Sequence, residues 1–210
     1  MELQEKQTLL EELKKELEAD DTLPLRGSNL VFGEGDINSQ VMFIGEAPGF
    51  HEDRLGRPFV GRAGELLTGL IQKIGWKRED VYITNIVKRR PPENRDPLPE
   101  EIEAYKPFLT RQIDIISPRV VVPLGRFSMN YFLPEAKITR DQGKIFHVNG
   151  HVVVPLFHPA AALRSTEVLK TLTKSFEALP RIIEDVQSGT IAPENKKPVE
   201  VNPQQQLFSF

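Results

Sequence analysis

The sequence predicts an α/β fold built around a largely parallel sheet. Two observations lead to this fold class: short apolar runs that look like buried strands, and segments of helical period that separate them. Alternation of strands with helices is typical of parallel sheets whose faces are covered by helices. The runs are VMFIG (41–45), VYITNIV (81–87), RVVVPLG (119–125) and HVVVPLFH (151–158).

The helices are predicted from the spacing of their apolar residues and from their end signals. Residues 2–19 carry leucines at helical spacing among Glu and Lys, and we expect this amphipathic helix to pack on the domain edge. Further helices are expected over 63–75, 98–116 and 166–187. The second opens with Pro99 and two glutamates, as helix starts prefer, and the third contains Pro180, where we expect a kink.

Length and composition predict one domain with tails. At 210 residues and 39% hydrophobic content, the chain can bury one core. We expect an N-terminal helix over 1–19, one domain over 20–188 and a disordered tail over 189–210, because the tail lacks apolar periodicity until its last residues. The N-terminus is charged, unlike a signal peptide, and no apolar run reaches about 18 residues. We therefore expect a cytoplasmic monomer without membrane contacts.

Charge and cysteine usage exclude several function classes. The chain has no cysteine, which rules out disulfides, thiolate metal sites and cysteine nucleophiles. A net charge of -3 argues against a protein that coats nucleic acid by bulk electrostatics. Contacts with nucleic acid would have to come from local basic patches.

Polar side chains end three of the predicted strands. They are Glu46, Asn85 and His158, and the carboxyl ends of parallel strands are where ligands bind in such sheets. A carboxylate, an amide and an imidazole on one small planar ligand would suit a pyrimidine edge. Each also has a structural explanation: Glu46 can cap a helix, Asn85 can tie a loop, and His158 can be a structural donor.

Four motifs occur in a specific order: GEAPGFHED (45–53), GRPFVGRAG (56–64), TNIVKRRPPENRDP (84–97) and HPAAALR (158–164). Together they resemble the family 4 uracil-DNA glycosylases, within the wider uracil-DNA glycosylase superfamily, from about Asp20 to Phe176. The resemblance implies a three-layer α/β/α sandwich with a central, mainly parallel four-stranded sheet. It also implies excision of uracil from DNA without a lyase step.

The resemblance implies two catalytic residues. Glu46 matches the acidic position that places the water or stabilises the cationic sugar, and His158 matches the histidine that faces the uracil O2. The chemistry agrees, because breaking a deoxyribose N-glycosidic bond leaves positive charge on the sugar and negative charge on the base. A carboxylate and hydrogen-bond donors supply what those charges need.

The resemblance implies uracil-binding residues as well. Asn85 falls on the residue that reads the uracil edge, and Phe59 on the aromatic that stacks on the flipped base. Glu52 stands where a side chain crowds the C5 position and discriminates against thymine. Gly45 and Ala47 complete the uracil site. Taken alone, Phe59 would be read as a core residue.

The expected DNA contacts surround this site. Leu163 and Arg164 match the loop that enters the duplex where the base leaves, and Ala162 stands where the family usually carries another leucine. The proline-rich run after Asn85 cannot continue a helix or a strand, and we expect its cations other than Arg89 to face phosphates. The remaining DNA-binding residues are Pro48, Gly49, Lys88, Arg90 and Arg95.

One departure from the family is large. The family normally binds a four-iron, four-sulfur cluster through four cysteines, and the matching positions here are Asp20, Leu23, Arg89 and Tyr105. We therefore expect no cofactor. Our hypothesis is that Asp20 pairs with Arg89 while Leu23 and Tyr105 fill the apolar remainder. The alternative is that both charges point to solvent.

The C-terminal QQQLFSF resembles sliding-clamp peptides. Gln204, Leu207 and Phe208 have the spacing of a bacterial clamp peptide, and Gln204, Leu207 and Phe210 that of a PCNA-binding peptide. A tether to replicating DNA would explain large apolar residues at the end of a disordered tail. The alternative is that this end docks onto its own domain.

Two rival functions stay open at this point. The same fold can serve a glycosylase for another deaminated base, such as hypoxanthine or xanthine. A non-catalytic module that binds DNA or a clamp would keep the pocket without the chemistry.

Overall fold

The computed structural model describes residues 1–191 and contains a six-stranded sheet of order β1-β3-β2-β4-β6-β5. The strands are Glu34–Gly35, Val41–Gly45, Tyr82–Asn85, Val120–Pro123, Phe146–Val148 and His151–Val153 (β1 to β6). The order β3-β2-β4-β6 is parallel, and β1 and β5 join its two edges antiparallel. The sheet therefore has two strands more than the four expected. The two edge strands are short and contain no fully buried residue, so no apolar run marked them.

Five of the helices in residues 1–191 lie in connections between strands, while the first precedes β1 and the last two follow β6. They are Leu3–Ala19, Phe50–Leu55, Arg62–Lys73, Pro99–Ile116, Arg126–Phe132, Ile138–Asp141, Pro159–Ala162 and Thr166–Gln187 (α1 to α8). The four long helices match the predicted ones closely, since three turns or more give a readable apolar period. Helices α2, α5, α6 and α7 are too short to show that period. No helix within residues 1–191 is long and apolar enough to cross a membrane.

The sheet separates two apolar cores, which makes the fold a three-layer α/β/α sandwich. Because side chains alternate along a strand, Val41 and Phe43 belong to the core under α3 and α8, and Met42 and Ile44 to the core under α1 and α4. Phe43 stacks on Phe176 of α8 with ring centroids 5.5 Å apart. The β2 strand is thus buried on both faces, as expected for a central parallel strand.

Helix α1 packs on α4 and is part of one helical layer. Leu10, Leu13 and Leu17 are buried along one face of the helix. The Lys6 ammonium donates to the carbonyl of Ile116 at 2.8 Å, which ties the start of α1 to the end of α4. Each buried leucine contributes about 1.5–3 kcal/mol of burial energy, so this helix stabilises the domain.

Candidate functional site

A cavity of about 250 Å³ opens at the carboxyl ends of the parallel strands. Its lining includes Glu46, Phe59, Asn85 and His158, which come from the ends of β2 and β3, the segment between β6 and α7, and the loop before α3. The sheet topology explains the meeting, because β3, β2, β4 and β6 are parallel neighbours whose carboxyl ends lie at the same edge, and His158 follows β6 there. The structure therefore brings the carboxylate, the amide and the imidazole to one place.

Gly45 makes room for two of these side chains. The parallel register sets Gly45 beside Asn85 on the neighbouring strand. A Cβ on Gly45 would lie 2.6 Å from the ring of Phe59 and would also overlap the side-chain oxygen of Asn85. Only glycine lets the ring and the amide approach the strand this closely.

Phe59 forms an aromatic wall of the cavity. It is 6% exposed and has a φ of 51°, a left-handed conformation that costs a non-glycine residue about 1–3 kcal/mol. Gly64 supports this bend, because a Cβ there would overlap the Phe59 backbone. The Phe59 ring lies 5.6 Å from the ring of His158 with an interplanar angle of 31°. Strain held by close packing points to a functional role for this ring.

Glu52 lines the cavity and also holds its loops together. One carboxylate oxygen accepts hydrogen bonds from the amides of Val60 and Gly61, each at 2.9 Å. The other accepts from the amide of Gly49 at 3.2 Å. Glu52 thus clasps the loop after β2 to the loop that carries Phe59. Its expected contact with the C5 position stays a prediction.

Glu46 is a carboxylate with a strongly perturbed environment. Burial raises its pKa to about 7, opposed by a hydrogen bond from the Phe127 amide at 3.1 Å; Asp96 raises the pKa further and Arg126 lowers it. Gly125, at a φ of 95°, lets the chain turn so that this amide reaches Glu46. Sequence reasoning missed Phe127, since a backbone donor can come from any residue type.

His158 is a neutral imidazole at the start of α7. Its Nδ1 accepts a hydrogen bond from the Ala160 amide at 3.1 Å, which assigns the ring proton to Nε2. Burial lowers its pKa to about 4, and the nearby Glu52 carboxylate offsets this only in part. The imidazole can therefore donate one hydrogen bond to a ligand oxygen without carrying a positive charge.

Some of the expected DNA-contacting residues are exposed, and others are hydrogen-bonded to protein side chains. Leu163 is 42% exposed and Arg164 is also exposed, as an inserting loop requires. Pro48 and Gly49 line the cavity. Arg90 donates to the side-chain oxygen of Asn94 at 2.6 Å. Arg95 donates to both oxygens of Glu101, at 2.9 and 2.5 Å, and lines the cavity as well.

The expectation for Lys88 was wrong. Its side chain is fully buried and donates to Gln112 and Thr84 at 2.5 and 2.6 Å, so it cannot reach a phosphate. Burial lowers its pKa well below the ordinary value. The sequence showed three consecutive basic residues, but the side chain of Lys88, the first of them, points into the core between the sheet and α4 and contacts Gln112.

The predicted pair between Asp20 and Arg89 is also absent. The Asp20 carboxylate accepts hydrogen bonds from Thr22, while Arg89 is buried and donates to the carbonyl of Ser28. Leu23 and Tyr105 are buried as expected, at 6% and 0% exposure. Arg89 therefore faces inward, but a backbone carbonyl takes the place of the expected carboxylate.

A cavity for a small planar ligand at the carboxyl edge of a parallel sheet, with a carboxylate and neutral donors, fits enzymes that act on nucleobases. The chain belongs to the uracil-DNA glycosylase superfamily, whose model matches residues 32–187.

Within that superfamily, the chain is similar to curated type-4 uracil-DNA glycosylases. It is 47% identical to that of Thermotoga maritima over 74% of this chain and 83% of the relative. It is 46% identical to that of Sulfurisphaera tokodaii over 72% of this chain and 74% of the relative. For the Saccharolobus solfataricus protein the identity is 48%, over 70% and 73% of the two chains.

We predict that Glu46→Gln changes how stability depends on pH. The folded-state pKa of Glu46 is about 7, above the ordinary 4.5, so between these values the native state keeps a proton that the unfolded chain has lost. Wild-type stability then falls as pH rises through this window. The free energy of unfolding of Glu46→Gln, taken relative to wild type, should therefore rise by on the order of 2 kcal/mol from pH 4 to pH 8. Urea unfolding at each pH measures it.

The exposed Glu12 provides a matched control, because Glu12→Gln makes the same change on the outer face of α1. Its stability difference from wild type should not vary with pH in this way. Parallel pH profiles for wild type and Glu46→Gln would contradict the assignment of a raised pKa.

Proposed function

We propose that the protein is a monofunctional uracil-DNA glycosylase. It flips uracil out of DNA and hydrolyses the N-glycosidic bond, leaving an abasic site that starts base excision repair. The observation that carries the proposal is the meeting of Glu46, Asn85 and His158 at one cavity beside Phe59. The type-4 relatives, at 42–48% identity over most of their length, support the same substrate.

The site suits the charges that form when uracil leaves. The departing base gains negative charge on its oxygens, and the neutral His158 donates a hydrogen bond to O2 without needing to lose a proton. Asn85 can donate and accept at neighbouring atoms, which matches the uracil edge. The base stacks on Phe59, and this contact offsets part of the unstacking cost of a few kcal/mol. Leu163 fills the space that the base leaves in the duplex.

Glu46 acts on the sugar side of the bond. As a carboxylate it stabilises the positive charge that develops on deoxyribose and orients the attacking water. Because burial raises its pKa to about 7, it is close to half ionised at neutral pH. The hydrogen bond from the Phe127 amide holds the carboxylate in place in either form.

The proposed specificity for uracil depends on Glu52, whose side chain is held in a fixed position. Glu52 is fixed by three backbone amides, so it cannot swing away from a C5 methyl group at low cost. Ala47 lines the same cavity, and the missing side chain of Gly45 makes room there for the Phe59 ring and the Asn85 amide.

We propose that ordinary packing replaces the iron-sulfur cluster that the family 4 resemblance implies. The residues at the cluster positions do not fit such a group, because the chain has no cysteine and these positions carry Asp20, Leu23, Arg89 and Tyr105. Tyr105 donates to the carbonyl of Pro24 at 2.6 Å, and Arg89 donates to that of Ser28. These bonds tie the loop after α1 to α4 and to the segment after β3.

We propose in addition that the C-terminal peptide binds a sliding clamp. Gln204, Leu207, Phe208 and Phe210 lie outside the described residues, so the support is the spacing of their side chains in the sequence. A tail of this kind would hold the enzyme on replicating DNA without contributing to excision.

Uracil excision is the direct test. A uracil-containing oligonucleotide treated with wild type and then alkali should be cleaved, with a rate that rises through about pH 7 as Glu46 ionises. Asn85→Ala and His158→Ala should each lower the single-turnover rate by roughly 10²-fold or more. His147→Ala, at an exposed histidine outside the cavity, is the control and should match wild type.

A wild-type protein inactive on uracil but active on hypoxanthine or xanthine would change the substrate, and one without abasic product from any of them would refute catalysis.

Iron analysis tests the replacement of the cluster. The purified protein should contain neither iron nor acid-labile sulfide. Tyr105→Phe keeps the ring but leaves the Pro24 carbonyl unpaired, so unfolding should cost about 1–3 kcal/mol less. Tyr131→Phe removes a hydroxyl whose hydrogen bonds are exposed, so it should lower the free energy of unfolding by a smaller amount than Tyr105→Phe does. A visible chromophore typical of an iron-sulfur protein would overturn the proposal.

Deletion of residues 204–210 tests the clamp tether. It should abolish binding to the clamp while excision on a short oligonucleotide stays at the wild-type rate. Phe208→Ala and Phe210→Ala separate the two peptide types, since only the first removes a bacterial clamp anchor and only the second a PCNA anchor. Undiminished binding after the deletion, or no binding of the full chain to either clamp, would refute the tether.

A further inference from the structure

The cations expected to hold the DNA backbone are mostly committed to the protein. Lys88 is buried, and Arg95 is bonded to Glu101, whose side chain is 6% exposed. Arg90 is bonded to Asn94, and its guanidinium lies 5.2 Å from the ring of Phe50. A site that draws a base out of a polyanion needs a cation that is free to move to a phosphate.

Arg126 is such a cation. It begins α5, directly before Phe127, whose amide holds Glu46. Its side chain is 63% exposed, and the guanidinium carbon lies 4.5 Å from the Phe127 ring centroid. This stacking keeps the guanidinium beside the cavity mouth without using its hydrogen-bond donors.

The partner of Arg126 is weakly held. Asp96 lines the cavity, and its carboxylate lies 3.7 Å from the Arg126 guanidinium, with the Asp96 side chain 70% exposed. A pair this exposed and this long contributes about 0–1 kcal/mol, so it is easily exchanged. The two residues belong to different segments: Asp96 lies in the loop before α4, and Arg126 is the first residue of α5.

We propose that Arg126 binds a backbone phosphate of the DNA strand that carries the target base, and that this phosphate displaces Asp96. In the free protein Asp96 holds the guanidinium over the cavity mouth and cancels its charge. When DNA binds, the phosphate takes over the guanidinium and releases a counterion from the duplex. The inference rests on the proposed function and adds a backbone contact on the Glu46 side of the site.

The salt dependence of DNA binding tests the contact. The full chain is titrated onto a uracil-free duplex with a stable abasic analogue, so that no turnover occurs, over a range of KCl concentrations. Arg126→Gln should weaken binding roughly five- to tenfold near 0.15 M salt and reduce the slope of log K against log salt by about 1. Arg126→Lys should keep the slope, because it keeps the charge.

Arg119 supplies the matched control. It is an exposed arginine just before β4, whereas Arg126 follows that strand, so the two lie at opposite ends of it. Arg119→Gln makes the same change in net charge and should leave the slope at the wild-type value. Asp96→Asn should tighten binding, and this gain should vanish in the Arg126→Gln background.

An unchanged slope in Arg126→Gln would overturn the inference, as would weaker binding by Asp96→Asn. If Arg126→Gln fails to fold, the binding of Asp96→Asn still tests the inference. Uracil excision by wild type is measured alongside. Excision with an unchanged Arg126→Gln slope refutes the Arg126 contact alone, whereas wild type without excision or DNA binding refutes the glycosylase function.

Discussion

The parallel pairing of β2 with β3 is the constraint on which the site depends. It sets Gly45 beside Asn85, and the missing side chain of Gly45 opens the space that the Asn85 amide and the Phe59 ring share. A shift of one residue along either strand would bury Asn85 in the core or turn it away from the cavity, because strand side chains alternate between faces. The left-handed bend at Phe59 and the clasp made by Glu52 both serve to bring a third wall to this pair. The close fit explains why β2 ends in a glycine at this point.

Burial favours the neutral form of two titratable groups in the cavity, Glu46 and His158. It raises the pKa of Glu46 to about 7 and lowers that of His158 to about 4. For His158 the result is a neutral donor, held in one tautomer by the start of α7. For Glu46 the result is a carboxylate whose charge has a cost in folding energy. The proposed function would thus use a carboxylate whose ionisation costs stability.

The basic run after Asn85 shows how one stretch of sequence is divided among several tasks. Lys88 is buried and donates to Gln112 of α4, and Arg89 donates to the loop after α1. Arg90 and Arg95 donate to Asn94 and Glu101 and so hold the turn that leads to α4. Asp96 continues the same turn to the cavity mouth. This cluster of positive charge is therefore mostly structural, whereas Arg126 at the start of α5 has an exposed guanidinium near the cavity.

Much of the architecture could be predicted from local sequence. Apolar runs predicted the four parallel strands, the helical period predicted the four long helices, and the rule that ligands bind at carboxyl strand ends picked out Glu46, Asn85 and His158. The edge strands β1 and β5 and the helices of one or two turns were missed because a period needs length to be read. The burial of Lys88, the partner of Arg89 and the Phe127 amide that holds Glu46 were decided only by tertiary structure. Charge, burial and backbone hydrogen bonds depend on which distant segments pack together, and a sequence pattern records the residue but not its neighbours.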